Sequence, residues 1–358
     1  ERTVAERVPR GHDLNAALVS IDPSNGAVRA IVGGVDYGQA QFDAATEGTR
    51  QPGSAFKTFT LVAALEAKHS VDSQISGAAP CPIPNPGGKP DPWEPENYEG
   101  AAYGPVTLTD ATTSSVNCAY ARLASIVGFD KVADVARRLG VATEVSAVPS
   151  LTLGTEVVTP LDMAAAYGTL AADGVAHSPV LVTEVRRSDG SVLLRNEAPA
   201  RPVLHPTVAR QATAVLQAVV ERGTGTAATV PGHAVAGKTG TAQNYQDAWF
   251  VGYTRHLSTA VWMGNLHGEV PMRGVRGLDV TGGSFPARIF GEFMRDALAS
   301  APPAPFTPPD IAFFAAVTSL DGSPLALPPP PDAEGRDGDA PDDADGDGRG
   351  RGGKRDDD

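Results

Sequence analysis

The amino-acid sequence predicts an α+β domain in which the strands of one antiparallel sheet come from both ends of the chain. Three observations lead there. Two strand-like runs near the start are joined by a tight turn, Pro23 to Gly26. A long middle region carries helix-patterned segments punctuated by glycine. Three more strand-like runs then precede a last helix. Strands, helices, strands and a helix in separate blocks is an α+β order, whereas βαβ units would alternate throughout. At 358 residues and 41% hydrophobic content, the chain can fill one large domain or two smaller ones.

In order, Ala17 to Asp22 and Val28 to Val32 read as strands about the turn, and Gly33-Gly34 ends the second. Residues 36–48 are polar and irregular. An apolar, alanine-rich run, Thr58 to Ala67, predicts a helix that starts at or near Ser54 and ends about Lys68. Residues 77–105 are rich in glycine and proline and read as a long surface excursion, the kind of ordered loop that carries function. A helical region begins at Leu108, and Cys118 to Val127 and Lys131 to Leu139 are helices stopped by Gly128 and Gly140. After a loop from Leu151 to Thr159, Pro160 to Ala172 has proline in its first turn and Asp173-Gly174 behind it. Val180 to Arg186 and Val192 to Arg195 flank a hairpin turn at Ser188 to Gly190. A helix over Pro206 to Arg222 ends at Gly223. Ala234 to Thr241, Ala248 to Tyr253 and Ser258 to Met263 are strands, and Phe285 to Leu298 is the closing helix.

The ends have a different character. Residues 1–13 are charged at their start and read as linker. Residues 301–331 read as a proline-rich linker, and residues 332–358, acidic and glycine-rich, as a disordered tail. Asp343, Asp345, Asp347 and Gly348 mimic the start of an EF-hand loop. Lys354 stands where the bidentate Glu belongs and no helix flanks the run, so calcium is not expected. The net charge of −13, with no basic stripe bearing aromatics, argues against nucleic acid. The seven histidines lack metal-ligand spacing, and nothing calls for a metal or other cofactor. No signal peptide or run of membrane-spanning length is present. Cys81 and Cys118 allow one disulfide or two buried thiols.

Chemistry centres on Arg50-Gln51-Pro52-Gly53-Ser54-Ala55-Phe56-Lys57. Three residues apart at a helix start, Ser54 and Lys57 share a face of the first turn. A serine hydroxyl becomes a useful nucleophile once a base takes its proton, and a lysine kept neutral by burial can be that base. Unpaired N–H groups at a helix start suit a developing oxyanion. A lone Ser-x-x-Lys is more simply an N-cap beside a solvated charge. The helix behind this one, however, is apolar all round and so belongs in a core, which puts the pair at the edge of a low-dielectric interior. Two further pieces follow: Ser115-Val116-Asn117 at a helix start, and Lys238-Thr239-Gly240-Thr241 on a strand. Each is weak alone, as a cap or a turn. In this order, SxxK, SxN and KTG form the triplet of penicillin-binding proteins and serine β-lactamases.

On these residues the chain resembles the transpeptidase domain of penicillin-binding proteins, and is most similar to the bifunctional class A type. The resemblance runs from about Leu14 to Leu298, a domain of residues 14–300, and extends to Thr159 to Ala164 and Asp247 to Tyr253. It implies a five-stranded antiparallel sheet flanked by helices, with a mostly helical subdomain carrying Ser115 and Asn117. It implies that Ser54 attacks the D-Ala-D-Ala bond of a peptidoglycan stem peptide, that an acceptor amine resolves the acyl-enzyme, and that β-lactams inhibit covalently. In that scheme Ser115 relays protons between Lys57 and the leaving amine. Asn117 holds the peptide backbone, Lys238 keeps the pocket positive, and Thr239 and Thr241, on either side of Gly240, bind a terminal carboxylate. The backbone N–H groups of Ser54 and Thr241 form the oxyanion hole. Class A relatives carry a membrane anchor and a glycosyltransferase domain and work with other cell-wall synthesis proteins. This chain is therefore expected to be a soluble fragment of an enzyme on the outer face of the bacterial cell membrane. Disulfides persist in that compartment, so Cys81 and Cys118 are expected to be bonded.

Three rival functions are open to the sequence. Gly232 to Thr239 matches the GxxxxGK[ST] pattern of a nucleotide-binding loop, which requires a helix after the Lys-Thr. A serine β-lactamase shares the triplet but needs a carboxylate to activate water, for which Glu156 is the candidate, although its setting reads as a structural loop. A non-catalytic β-lactam sensor would keep the whole set.

Overall fold

The computed structural model describes residues 1–10, 13–38, 41–85, 91–265 and 268–322. In chain order its elements are α1 (Arg2–Arg7), β1 (Leu14–Ile21), β2 (Val28–Val32), a 3₁₀ turn (Gly53–Phe56) that runs into α2 (Lys57–Glu66), β3 (Gln74–Ser76), β4 (Pro105–Thr107), α3 (Leu108–Thr113), α4 (Asn117–Val127), α5 (Phe129–Leu139), α6 (Pro160–Ala171), β5 (Val175–Ala176), β6 (Glu184–Arg186), β7 (Val192–Arg195), β8 (Arg201–Pro202), α7 (Pro206–Arg222), β9 (Ala236–Thr241), β10 (Asp247–Tyr253), β11 (Ser258–Asn265) and α8 (Phe285–Ala297). Five strands form one antiparallel sheet in the order β2-β1-β11-β10-β9, with N-terminal strands joined to late ones as the sequence predicts.

Both faces of this sheet are covered, and strand alternation assigns each residue to one of them. Ala17, Val19, Trp249, Val251 and Trp262 face a core shared with α2 and α4 to α7. Ala16, Leu18, Phe250, Val261 and Met263 face a second core built on α8. Double coverage explains why β10 and β11 are buried along their whole length. Helix α2 is buried from Lys57 to Leu65, as its uniformly apolar sequence requires. Local signals set the helix ends: Thr159 and Asp162 form a reciprocal capping box on α6, and Pro206 opens α7.

The structure differs from the sequence-based expectation at both ends of the domain. Residues 1–13, expected as linker, contain α1. Val4 and Val8, one turn apart, are buried in the α8 core, and Arg7 bonds Glu292 at 2.6 Å. Two valines in a charged run are too sparse a pattern to read as a helix, yet they suffice once α8 supplies the other surface. The proline-rich stretch 301–331 is likewise not a free linker over its described part. Phe306 packs edge-on against Tyr253, and Phe313 stacks on His205. Ala315 N–H donates to the Lys68 carbonyl, and Gln74 N–H to the Thr318 carbonyl. Residues 302–322 thus form a strap that ends beside β3. Its prolines remove backbone donors, so aromatic rings and a few β-type hydrogen bonds hold it. The tail from residue 323, with the Asp343 to Gly348 pattern, lies outside the described residues.

The excursion after α2 is closed at its base by the β3–β4 pair and held inside by side chains. Asn97 accepts from Cys118 N–H and donates to the carbonyls of Gly77 and Ala101, while Arg122 donates to the carbonyls of Ser76, Ala78 and Pro80. Cys81 and Cys118 are bonded, with Cα atoms 5.6 Å apart. The two are 37 residues apart in sequence, and closing a loop of that size in the unfolded chain stabilises the fold by about 3–4 kcal/mol in the chain-entropy model. Replacing both cysteines by alanine should lower the denaturation midpoint accordingly in oxidised protein. Reductant should lower the wild type's midpoint and leave the variant's unchanged. A wild type insensitive to reductant would show that the bridge contributes nothing.

Candidate active site

The turn before α2 lies against the backbone of β9, and two glycines make that approach possible. At Gly53, φ is +54°, and a Cβ there would lie 2.4 Å from the Thr241 carbonyl oxygen. At Gly240 a Cβ would lie 2.1 Å from the carbonyl oxygen of Pro52. With neither side chain present, Ser54 sits on a 3₁₀ turn beside the KTG strand, a tighter start than the α-helix expected from sequence. Ser54 is partly exposed, and its hydroxyl makes no hydrogen bond among the described residues.

Lys57, the first residue of α2, is fully buried. Its Nζ lies 2.6 Å from the Ser115 carbonyl oxygen, 2.6 Å from Asn117 Oδ1 and 3.2 Å from Ser115 Oγ, over the ring of Tyr120. Ser115 joins α3 to α4 in a left-handed conformation, φ +56°, which is uncommon for serine. This geometry turns both its carbonyl and its hydroxyl toward Lys57. Asn117 opens α4, and its Nδ2 donates to the Glu96 carbonyl at 2.8 Å, which fixes the amide with Oδ1 toward Lys57. From the other side, Lys238 Nζ reaches Ser115 Oγ at 2.9 Å and the Thr239 carbonyl at 3.1 Å. Thr239 Oγ1 is 2.7 Å from Thr224 Oγ1, and Thr241 Oγ1 accepts from Gly282 N–H at 3.2 Å. One serine hydroxyl therefore stands between two buried amines, supplied by three distant stretches of chain.

Burial sets the charge of these amines. Desolvation, joined by repulsion from Lys238, holds Lys57 well below the ordinary lysine value. Desolvation brings Lys238 down to about 7. A neutral Lys57 has two N–H bonds and one lone pair. Its two short contacts are to oxygens that only accept, so they take the two N–H bonds. The lone pair is left to accept from Ser115 O–H, while Ser115 Oγ accepts from Lys238. All partners are satisfied with the proton path running in one direction.

The same shifts affect stability. A lysine with a depressed folded pKa binds fewer protons folded than unfolded between the two pKa values, so stability rises with pH there. For Lys238 this window runs from about 7 up to the ordinary value of 10.5. Wild-type melting temperature should climb from pH 7 to pH 9, and Lys238→Met should lose part of that slope in parallel melts. Equal slopes would mean that Lys238 is no less protonated in the folded protein.

Every residue singled out in the triplet lies in this constellation or on the strand beside it. The contributions of Tyr120, Glu96 and Thr224 were not legible in the sequence, because each acts through a contact made only on folding. The Lys-Thr of the GxxxxGK[ST] pattern lies inside β9 and continues as strand to Thr241 instead of opening an α-helix, so a nucleotide-binding loop is not formed. Glu156 accepts from Ser146 N–H at 3.1 Å, the structural use its setting implies.

A sheet edge packed on the start of a buried helix, with two lysines on one serine, defines the SxxK class of fold. Residues 16–295 match the family described as penicillin binding protein transpeptidase domain. Penicillin-binding protein 1A of Aquifex aeolicus is 39% identical over 260 residues, 73% of this chain and 35% of that protein. Penicillin-binding protein 1A of Rickettsia bellii is 33% identical over 333 residues, 87% of this chain and 41% of that protein. The solved structure of the penicillin-binding protein PonA1 from Mycobacterium tuberculosis superposes with a TM-score of 0.76 at 32% identity, covering 92% of this chain and 89% of that one, and PonA1 has also been solved in complex with penicillin V. The chain belongs to the penicillin-binding protein transpeptidase domain family. It spans well under half the length of the curated relatives it matches.

Proposed function

We propose that the chain is the D-Ala-D-Ala transpeptidase unit of a class A penicillin-binding protein, with Ser54 as nucleophile. The observation that carries this reading is the buried Lys57 amine, whose lone pair is left for a proton by its two carbonyl partners. Ser54 Oγ forms the bond to the penultimate D-Ala carbonyl carbon, and its proton passes to the Lys57 lone pair as the Ser115 O–H turns away from it. The N–H groups of Ser54 and Thr241 hold the oxyanion. When the intermediate collapses, the C–N bond breaks and the leaving D-Ala amine takes the Ser115 proton, which Lys57 restores. An acceptor amine then runs the sequence backwards and forms the cross-link. Asn117 holds the donor backbone, and Lys238, Thr239 and Thr241 receive its carboxylate. In a β-lactam the broken amide is in a ring, so the leaving amine stays tethered and the acyl-enzyme persists.

The substrates would be peptidoglycan stem peptides on the outer face of the cell membrane. A membrane anchor, a glycosyltransferase domain and cell-wall synthesis partners belong to the longer protein on this reading. Among the described residues no helix is long and apolar enough to cross a membrane. The test is a fluorescent penicillin followed by mass spectrometry, with and without an acceptor amine. A long-lived adduct on Ser54, and transfer of a peptide thioester's acyl group to the amine, are expected. Rapid hydrolysis of the adduct would make the chain a β-lactamase, and an adduct without any transfer would make it a sensor.

A further inference from the structure

Upstream of Ser54, the chain rests on a platform that the proposed reaction does not use. On the face of β10 and β11 toward α2, Asp247, Trp249 and Trp262 lie together, with Trp249 directly opposite Trp262. Both indoles are fully buried, and Asp247 is 6% exposed. Trp249 Nε1 donates to the Gln51 carbonyl at 2.8 Å. Trp262 Nε1 donates to Asp247 Oδ1 at 2.8 Å, and the Gln51 backbone N–H faces the same carboxylate. The Gln51 carbonyl is therefore held by a β10 side chain, and its N–H side lies toward the β10 carboxylate. Arg50 completes the set: its guanidinium lies 5.1 Å over the Trp262 ring and 3.9 Å from Asp247 Oδ1. Its backbone N–H and carbonyl both pair with Val158. Trp249 is also the register partner of Gly240, the residue against which Pro52 packs.

We infer that Asp247, Trp249 and Trp262 are positioning residues, which fix Gln51 and so set Ser54 against the N–H of Thr241. The chain between Gln51 and Ser54 is only Pro52 and Gly53, and proline has one backbone freedom fewer than other residues. Gly53 is hemmed in by the Thr241 backbone and donates its N–H to the Gly154 carbonyl at 3.3 Å, so a shift at Gln51 passes to Ser54 with little to absorb it. The two sides of the oxyanion hole share one rigid support: Thr241 is on the strand paired with β10, and Ser54 hangs from side chains of β10. This inference rests on the assignment of Ser54 as nucleophile and adds to it the means by which the nucleophile is aimed.

Trp249→Phe and Asp247→Asn, made in the full chain, test it. The first keeps an aromatic ring in the core but removes the N–H with part of the indole's volume, so its melting temperature is measured alongside, and the second keeps shape and deletes one charge. Stopped-flow labelling by a fluorescent penicillin separates the acylation rate constant from the dissociation constant of the non-covalent complex. The acylation rate constant should fall about ten- to hundredfold in each, as for a sub-ångström to ångström misplacement of a reacting group. The dissociation constant should stay within about twofold, because the groups proposed to hold the ligand are untouched. The double variant should fall little further than the worse single one, since both act through Gln51. An unchanged acylation rate constant alongside a lowered melting temperature would overturn the inference and leave these residues as core. So would a weakened non-covalent complex at constant acylation rate. Wild-type protein with no adduct on Ser54 would defeat the nucleophile assignment itself, a result separate from any difference between variants.

Discussion

Ser54→Ala should form no adduct with penicillin and transfer no acyl group, while melting within a few degrees of wild type. Ser54 occupies a 3₁₀ turn, is not the N-cap of α2, and makes no side-chain hydrogen bond among the described residues. Removing its oxygen thus breaks no cap and orphans no buried partner. Changes of that kind alter stability by about 0.5 kcal/mol or less. The effect on chemistry is of another order, because Lys57 and Lys238 are left with nothing to activate. Intact-mass analysis after long incubation, with peptide mapping, reads the result. An adduct on Ser115 or on either lysine of the variant would overturn the assignment of Ser54.

Lys57→Ala and Ser115→Ala should each slow acylation by about 10²–10⁴, the usual contribution of a positioned proton-transfer group. The double variant should be little worse than the slower single one. The reason is geometric: Ser115 Oγ is within hydrogen-bond reach of both Lys57 Nζ and Lys238 Nζ, so removing the hydroxyl breaks the path at its middle and removing Lys57 breaks it at its end. Residues that act as one unit do not contribute additively. Second-order labelling rates for the three variants and wild type complete the cycle. Losses that multiply would assign Lys57 and Ser115 separate tasks. Lys57→Ala also leaves the Ser115 carbonyl and the Asn117 amide oxygen without their donor, so a stability measurement should accompany the kinetics.

Much of this was legible in residue spacing. The three-residue step from Ser54 to Lys57 places both at one helix start in any reading, and α7 is bracketed by Pro206 and Gly223. Strands β10 and β11 declared themselves by apolar runs between turns. What escaped the sequence depends on surfaces made elsewhere in the chain. Helix α1 needs α8, and the strap needs Tyr253, His205 and β3 before its prolines have anything to lie on. The left-handed Ser115 has no local signal, since glycine or asparagine is the residue that announces that conformation. Arg50 and Asp247 belong to legible motifs, but that they meet across a tryptophan is a fact of the sheet, not of either stretch.

The sheet order also governs how the chain must fold. β1 is an interior strand: β2 covers one edge almost at once, but the other edge pairs with β11, from Leu14 opposite Asn265 to Ile21 opposite Ser258. During synthesis the N-terminal hairpin waits while more than half the chain is made. Pairings so distant in sequence are slow, because the loop must close before any hydrogen bond rewards it. Through that interval Ala16, Leu18 and Val19 line an open, apolar strand edge of the kind that joins a second copy side by side. The nascent hairpin, rather than the finished domain, is then where aggregation begins, and weaker expression, which leaves fewer waiting hairpins to meet one another, should raise the yield of folded protein.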